Sequence, residues 1–402
     1  MRNLMMTAAC AAVAGPACAA PITLKPIAEL RFRYENVDQE GLAHTSGDDF
    51  SIRGRLGLSG TSGRISAIVI GQGAVSPAGD AYDGLNGLAN RPLVADPDNI
   101  ALYVAQIQYR APGVTVTAGR QRIVLDDERF VGNVAFRDNA QTFDAVRAEA
   151  TPIRGLKADV SYVWGVRTIW GFQGTGARQQ AVSGDTVLAN LSYVTSLGTL
   201  TGFGYWIDQD EAAVQGFRLS SKTVGARFAG SHAFSKTAKL SYQLSYAHQT
   251  DFHNNPNAYA ADYYLADAML EWRMLRIGAG YEVLGADRGV ALTSFQTPLG
   301  TNFKFQGWAD KFLTTPPNGV RDLYGSAGYG WKKAGPFAGV LAQIVYHDFR
   351  SDRLDQHYGT EWDVILSGKI GKTTLSVRYA DYDARRFAAD TRKIWLQADW
   401  AF

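Results

Sequence analysis

Polar and apolar residues alternate with a period of two along almost the whole chain, from Ile27 to the C-terminal Phe402. The last stretch shows it most plainly. Counting back from Phe402 by twos gives Trp400, Ala398, Leu396 and Ile394, all apolar, with Ala401, Asp399, Gln397, Trp395 and Lys393 between them. Successive side chains of a strand point to opposite faces, so this segment predicts a strand with one face for lipid and one for water. Glu29, Arg31, Arg33 and Glu35 alternate in the same way with Leu30, Phe32 and Tyr34. Arg53 and Arg55 alternate with Ile52, Leu56 and Leu58, and Lys157 and Asp159 with Ala158, Val160 and Tyr162.

Eighteen such segments are predicted, over 27–37, 49–60, 63–73, 99–110, 113–122, 141–150, 156–167, 186–196, 199–208, 217–230, 236–250, 262–272, 274–285, 319–331, 337–348, 360–370, 372–383 and 391–402. Their connections alternate between short, such as Thr61-Ser62, Ala111-Pro112 and Gly371, and long, such as 74–98, 123–140 and 286–318. An even number of antiparallel strands, with short turns at one end and long loops at the other, describes an all-β transmembrane barrel. Both termini then belong at the short-turn, periplasmic end. A soluble sandwich or propeller would also alternate, but its outer face would be charged. Here the face left over is aromatic and aliphatic.

Composition supports this reading. The chain holds 42 Gly, 9 Trp, 19 Tyr and 19 Phe, as strands with aromatic girdles require. Beyond the N-terminus no window is long and apolar enough for a spanning helix, and without helices only a closed barrel satisfies every backbone group in lipid. Arg2, the apolar run 4–14 and Ala17-Cys18-Ala19 fit a secretory signal peptide over residues 1–19, leaving 20–402 as the barrel domain. Both cysteines, Cys10 and Cys18, fall in that leader, which excludes a disulfide framework or a thiolate site in the mature chain. Forty basic residues against 38 acidic give no excess pointing to nucleic acid. The expected location is the bacterial outer membrane.

If lipid lies outside, the polar faces line the lumen, and these are rich in cations: Arg31, Arg33, Arg53, Arg55, Arg147, Lys157, Arg227, Arg273 and Arg378. Glu29, Glu35, Glu149, Asp159, Glu271 and Asp363 sit among them. Two readings stand open: a ladder of cross-strand ion pairs stiffening the wall, or a cationic lining that selects anions as rings of Arg and Lys do. In the segment 113–122, parity places Arg120 and Arg122 with Val114 and Val116 on the lipid side. Either a bulge at Gly119 resets the phase, or these arginines lie at the extracellular rim.

Three long strings carry a family resemblance. They are Arg31 to Gln39 (RFRYENVDQ), Gly119 to Asp144 with Arg120, Arg122, Arg129 and Arg137, and Phe303 to Phe312 (FKFQGWADKF). Over most of its length the chain resembles the alginate-export family of outer-membrane porins. The resemblance implies an eighteen-stranded barrel, an electropositive pore for an acidic polysaccharide, and inward-folded loops with an arginine-rich constriction. By position, Arg120, Arg122, Arg129 and Arg137 are its candidates, since guanidinium groups bind carboxylates bidentately and stay charged. Near-balanced charge and shorter loops set this chain apart from long family members and leave the cargo open.

The function expected is passive, anion-selective passage of acidic polysaccharide or oligosaccharide such as alginate-like uronates. The alternative is general diffusion of small anionic solutes. An outer-membrane enzyme is a third possibility, with only the loose set Ser231, His232 and Asp251 to offer. Expected partners are the acidic saccharide, outer-membrane lipid, and periplasmic export or uptake components, with no cofactor. The six histidines lack metal-ligand spacing, and Asp80, Asp83, Asp96 and Asp98 lack the periodicity of an EF-hand. The run Asp126-Asp127-Glu128-Arg129 is either a loop latch or exposed charge.

Overall fold

A computed structural model describes residues 21–211 and 215–402; the predicted signal peptide lies outside the described residues. The chain forms eighteen antiparallel strands: β1 Thr23–Gln39, β2 Ser46–Ser62, β3 Ile65–Gly79, β4 Asn99–Ala111, β5 Val114–Gln121, β6 Thr142–Ile153, β7 Leu156–Arg167, β8 Ala181–Val194 and β9 Thr199–Ile207. They continue as β10 Ser221–Ser235, β11 Ala238–Asp251, β12 Ala260–Trp272, β13 Leu275–Leu284, β14 Val320–Ala334, β15 Phe337–Arg350, β16 His357–Ile370, β17 Thr373–Ala384 and β18 Thr391–Ala401. Every predicted strand is present. The alternation marks the membrane-crossing part, so several strands outrun it: β3 reaches Gly79, and β8 starts at Ala181. The longest false extension lies before β10, where Gly216–Leu219 is a 3₁₀ turn.

Each strand pairs with its sequence neighbours, and β1 pairs with β18 from Glu29↔Ala401 to Gln39↔Thr391. The barrel is closed, so no edge carries unpaired backbone groups into lipid. Turns at 63–64, 112–113, 154–155, 273–274, 335–336 and 371–372 are tight, and the long loops all lie at the other end. Phe402 donates its backbone N–H to Ala28 O, which holds the C-terminus at the tight-turn end beside the start of β1.

Parity along each strand decides which way a side chain faces. Leu56, Leu58, Val69, Ile107, Leu191, Leu244, Ile277 and Leu366 project outward and are exposed. Aromatic pairs border this band: Tyr246–Tyr264 (5.3 Å) and Tyr346–Trp362 (4.6 Å) toward the loops, Tyr329–Trp331 (4.7 Å) and Trp400–Phe402 toward the turns. Two girdles around an apolar belt are the signature of a barrel at both membrane interfaces. The chain therefore sits in the bacterial outer membrane. A groove of about 620 Å³ lined by Phe32, Phe50, Phe337, Leu366, Val377 and Leu396 belongs to this lipid-facing belt.

Candidate functional site

After Gln121 the chain leaves the wall, and loop 122–141 runs across the lumen. Ile123, Leu125, Phe130 and Val131 are apolar and find their shelter against inward residues of the wall. The Phe130 ring lies 5.2 Å from Phe203 and 5.0 Å from Tyr263. Loop 285–319 enters from the β13–β14 side and brings Phe295, Phe303 and Phe312 into the same cluster. The two loops meet where Phe136 stacks on Phe303, with centroids 3.7 Å apart and planes 7° from parallel. A backbone bridge between Val131 and Leu299 joins them a second time.

The charged run 126–129 ties this assembly to the wall and its two loops to each other. Asp126 accepts from Asn190 Nδ2 (2.8 Å), Asp127 from Gln243 Nε2 (2.5 Å), and Glu128 from Lys304 Nζ (2.9 Å). Arg129, 2% exposed, pairs with Glu282 at 2.6 Å. Of the two readings left open by the sequence, these contacts are those of a latch.

One sector of the lumen, formed by β1–β3, β17 and β18, is basic. Arg31 pairs with Asp399 (2.7 Å) and Asp138 (3.3 Å) and donates to Phe136 O (2.8 Å). Arg33 pairs with Asp96 (3.0 Å) and donates to Gln397 (2.9 Å) and Phe136 O. Arg55 pairs with Glu29 (3.2 Å), donates to Gln72 (2.6 Å) and lies 3.8 Å over the Tyr103 ring. Arg137 holds Asp310 (2.6 Å), Asp96 (3.4 Å) and Glu35 (3.7 Å). Burial opposes the charge on Arg137, but these three carboxylates outweigh it and hold the guanidinium above its ordinary pKa. Burial likewise opposes the charge on Asp138, and Arg33 and Arg31 overcome it, keeping that carboxyl below its usual value.

Two arginines of this sector stand apart. Arg53 has only distant carboxylates, Glu29 at 3.8 Å and Asp399 at 4.0 Å, and its Nε and Nη1 are buried without a hydrogen-bond partner. Arg378 lies over the rings of Phe136 (4.9 Å), Trp308 (5.1 Å) and Phe303 (5.7 Å). Among the described residues it has no carboxylate within 4.0 Å, and its nitrogens are not sealed from solvent. A guanidinium on an aromatic platform, with its donors free, can accept a carboxylate side-on.

The facing sector, on β12–β16, is acidic. A cavity of about 330 Å³ is lined by Asp127, Asp267, Glu282, Asp322 and Asp363, with Lys304 and His347 as the basic groups. Glu282 is paired with Arg129 (2.6 Å), but several of the acids here are held by neutral donors. Asp267 accepts from Tyr324 OH (2.8 Å), Asp363 from Trp308 N (3.2 Å), and the neighbouring Glu361 from Ala309 N (2.7 Å). Asp322 bonds His347 Nδ1 at 2.9 Å. Asp363 was expected on the lumen side, whereas Asp267, Asp322 and Glu361 were not. Their position on the polar face of the same period-two pattern could have found them.

Other candidates lie elsewhere. β5 pairs from Val114↔Ala150 to Gln121↔Phe143 with no register shift, so Gly119 does not reset the phase. Arg120 therefore stays on the outer side and leaves the constriction, while Arg122 opens the loop that follows β5. Arg120 pairs with Asp144 (2.8 Å), and Arg122 is exposed between the buried Gln121 and Ile123. Arg147 and Lys157 belong to a wall ladder with Asp159 (2.6 Å from Arg147) and Glu149 (2.7 Å from Lys157). Arg227 reaches Gln243 (2.6 Å). Arg273 is not inward at all: it occupies the exposed β12–β13 turn at φ 56°.

Ser231 pairs with Ser241 while Asp251 pairs with Ser221, ten residues along the same strand pair. That separation, roughly 33 Å, scatters the loose catalytic set. The loop aspartates are likewise engaged separately: Asp80 with Arg91, Asp83 with the Leu85 N–H, Asp98 with the Ser76 N–H and Asp96 with Arg33.

No protein-family model and no curated protein matches the chain, so the likeness to alginate-export porins rests on the sequence strings alone. Solved structures do match. The outer membrane protein OpdK of Pseudomonas aeruginosa superposes with a TM-score of 0.71 at 14% identity, covering 94% of this chain and 98% of its own. OccAB4 of Acinetobacter baumannii gives 0.72 at 15%, covering 96% and 100%. OccD3 of P. aeruginosa gives 0.69 at 14%, covering 97% and 94%. At such identities the likeness is one of fold. The chain has the complete eighteen-stranded architecture of these outer-membrane proteins, with its own charges set on either side of two inward loops.

Proposed function

We propose that the protein is a passive outer-membrane channel for small carboxylate-bearing solutes, with uronate sugars and short acidic oligosaccharides as its cargo. Arg378 carries this reading: its unpaired guanidinium lies over Phe136, Trp308 and Phe303 beside the incompletely satisfied Arg53. Aromatic faces suit the apolar side of a pyranose, and the guanidinium suits its carboxylate. The two loops meeting inside the lumen favour short solutes over a long polymer. One structural neighbour, OpdK, has been solved with vanillate, a small aromatic carboxylate. No covalent step is needed, and the solute follows its gradient.

The acidic sector favours a second reading, passage of cationic solutes along Asp127, Asp267, Asp322 and Asp363. Planar-bilayer recording under a salt gradient separates the two. Anion preference, with galacturonate or its short oligomers blocking chloride current, is expected. Cation preference, or block by arginine or lysine but not by uronate, would replace the first reading with the second.

A further inference from the structure

Lysines and arginines gather at the tight-turn end of the barrel, which faces the periplasm. Arg64, Arg110, Arg154, Lys236, Arg273, Lys332 and Lys372 each lie within three residues of a different turn. Of the eight turns, only that between β8 and β9, Thr195-Ser196-Leu197-Gly198, has no such cation. Lys333 and Lys369 stand beside them at the same end. All nine side chains are exposed, and among the described residues none has a carboxylate within 4.0 Å. The acids near this end are already committed: Glu149 to Lys157 (2.7 Å), Glu271 to Lys239 (3.2 Å) and Asp399 to Arg31 (2.7 Å). The loop end is built the other way, with Asp38, Asp381, Asp383 and Asp390 around Arg392.

These cations border the lipid-facing belt. Arg64 adjoins the exposed Ile65 in sequence, Arg110 adjoins Tyr109, and Arg154 adjoins Ile153. In the same way Arg273 follows Trp272, Lys332 follows Trp331, and Lys369 precedes Ile370. Arg273 lies 5.4 Å over the Trp272 ring, and Lys372 lies 4.2 Å over the terminal Phe402. The rim therefore stands at the level where the apolar belt gives way to lipid headgroups. A long cationic side chain there rests its stem on apolar surface and keeps its charge in the polar layer.

We propose that this rim docks the headgroups of anionic phospholipid in the periplasmic leaflet. The lipid phosphate meets the unpaired cations while its acyl chains meet the belt residues beside them. Attraction to an anionic bilayer surface accumulates with each Lys or Arg near it, so contiguous turns act together. The densest arc runs from β12 to β17, because β13 pairs with β14 and β15 with β16. It brings Arg273, Lys332, Lys333, Lys369 and Lys372 onto three adjoining turns. A soluble acidic partner would use the charge but gain nothing from the apolar flanks.

The test is native mass spectrometry of the full chain from mixed micelles of phosphatidylglycerol and the net-neutral phosphatidylethanolamine. Wild type should retain phosphatidylglycerol in preference by about tenfold, and that preference should shrink as salt is raised to about 0.5 M. The Arg273→Gln/Lys332→Gln/Lys333→Gln/Lys369→Gln/Lys372→Gln variant should bring the two lipids near parity while keeping wild-type single-channel conductance. Arg385→Gln/Arg386→Gln, at the loop end, should keep the wild-type preference. Equal retention of both lipids by wild type would overturn the proposal, and so would a preference indifferent to salt or surviving in the five-residue variant. Capture of soluble poly-glutamate without enrichment of phosphatidylglycerol would also overturn it, and would assign the rim to an acidic protein instead.

Discussion

The basic and acidic sectors of the lumen are built from the same period-two strands, yet they treat their charges in opposite ways. On β1–β3 and β18 the arginines are met by carboxylates and carbonyls, many from loops: Asp96, Asp138, Asp310 and Phe136 O. On β12–β16, Glu282 is paired with Arg129 and Asp322 with His347, but Asp267, Glu361 and Asp363 are met by a hydroxyl and backbone N–H groups. A pair of opposite charges cancels at a distance, whereas a carboxylate bonded to a neutral donor keeps its full field. The number of arginines on a wall is therefore a poor guide to what a solute meets. In the basic sector the charge left for a solute is chiefly that of Arg378 and Arg53.

The largest effect should come from breaking the clamp on the basic side. Arg137→Ala strips Glu35 of its cation and leaves Asp96 and Asp310 with only Arg33 and Lys393, and losing one partner of such a buried network costs about 3–5 kcal/mol. The loops should loosen: the thermal midpoint of the folded barrel falls, and single-channel conductance rises with added noise. Unchanged conductance would mean that loop 122–141 is held by its aromatic contacts alone.

Reversing the free charge should come next. In Arg378→Glu the anion-to-cation permeability ratio should drop by roughly fivefold, the equivalent of about 1 kcal/mol at the constriction, while Arg378→Gln should lie between it and wild type. Arg147→Gln, in a fully paired ladder, is the control and should leave the reversal potential where it was. If Arg147→Gln shifted selectivity as much as Arg378→Gln, pairing would not be what separates the two residues.

A smaller and opposite shift is expected from Asp267→Asn, which keeps a hydrogen-bond acceptor for Tyr324 OH and removes one charge from the acidic sector. Anion preference should rise by about twofold.

The smallest effect concerns pH. Lys311, on loop 285–319, donates to Gln39 Oε1 at 3.1 Å. Burial, with Lys393 as a like-charged neighbour, lowers its ammonium to about 8, against the pull of Glu361 and Asp310. Its charge is thus present at pH 7 and lost as pH rises through about 8, so anion preference should decline modestly between pH 7 and 9. Lys311→Met should abolish that decline, which reversal potentials recorded across the range would reveal.

Much of the fold was legible because a barrel strand has only two faces and each is solvated differently. Leu396 and Ile394 could only face lipid, and Lys393 and Asp399 only the lumen, so parity gave strand, face and closure together. It also put Arg120 on the outer side, against the constriction that the family resemblance implied for it. Parity has nothing to say about a residue once the chain leaves the sheet. Arg129 and Arg137 are adjacent to the same string as Arg120, yet they cross the lumen while Arg120 stays in the wall.

The sequence by itself determined eighteen amphipathic strands, their alternating short and long connections and the membrane they must occupy, since backbone hydrogen bonding in lipid admits no other arrangement. Only the tertiary structure decided which charges remain available. That depends on Phe136 meeting Phe303 across a gap of 167 positions in sequence, on Asp96 and Asp310 converging on Arg137, and on Arg378 being left over. These are long-range contacts whose energies depend on distances of a few ångströms, and no local pattern encodes them.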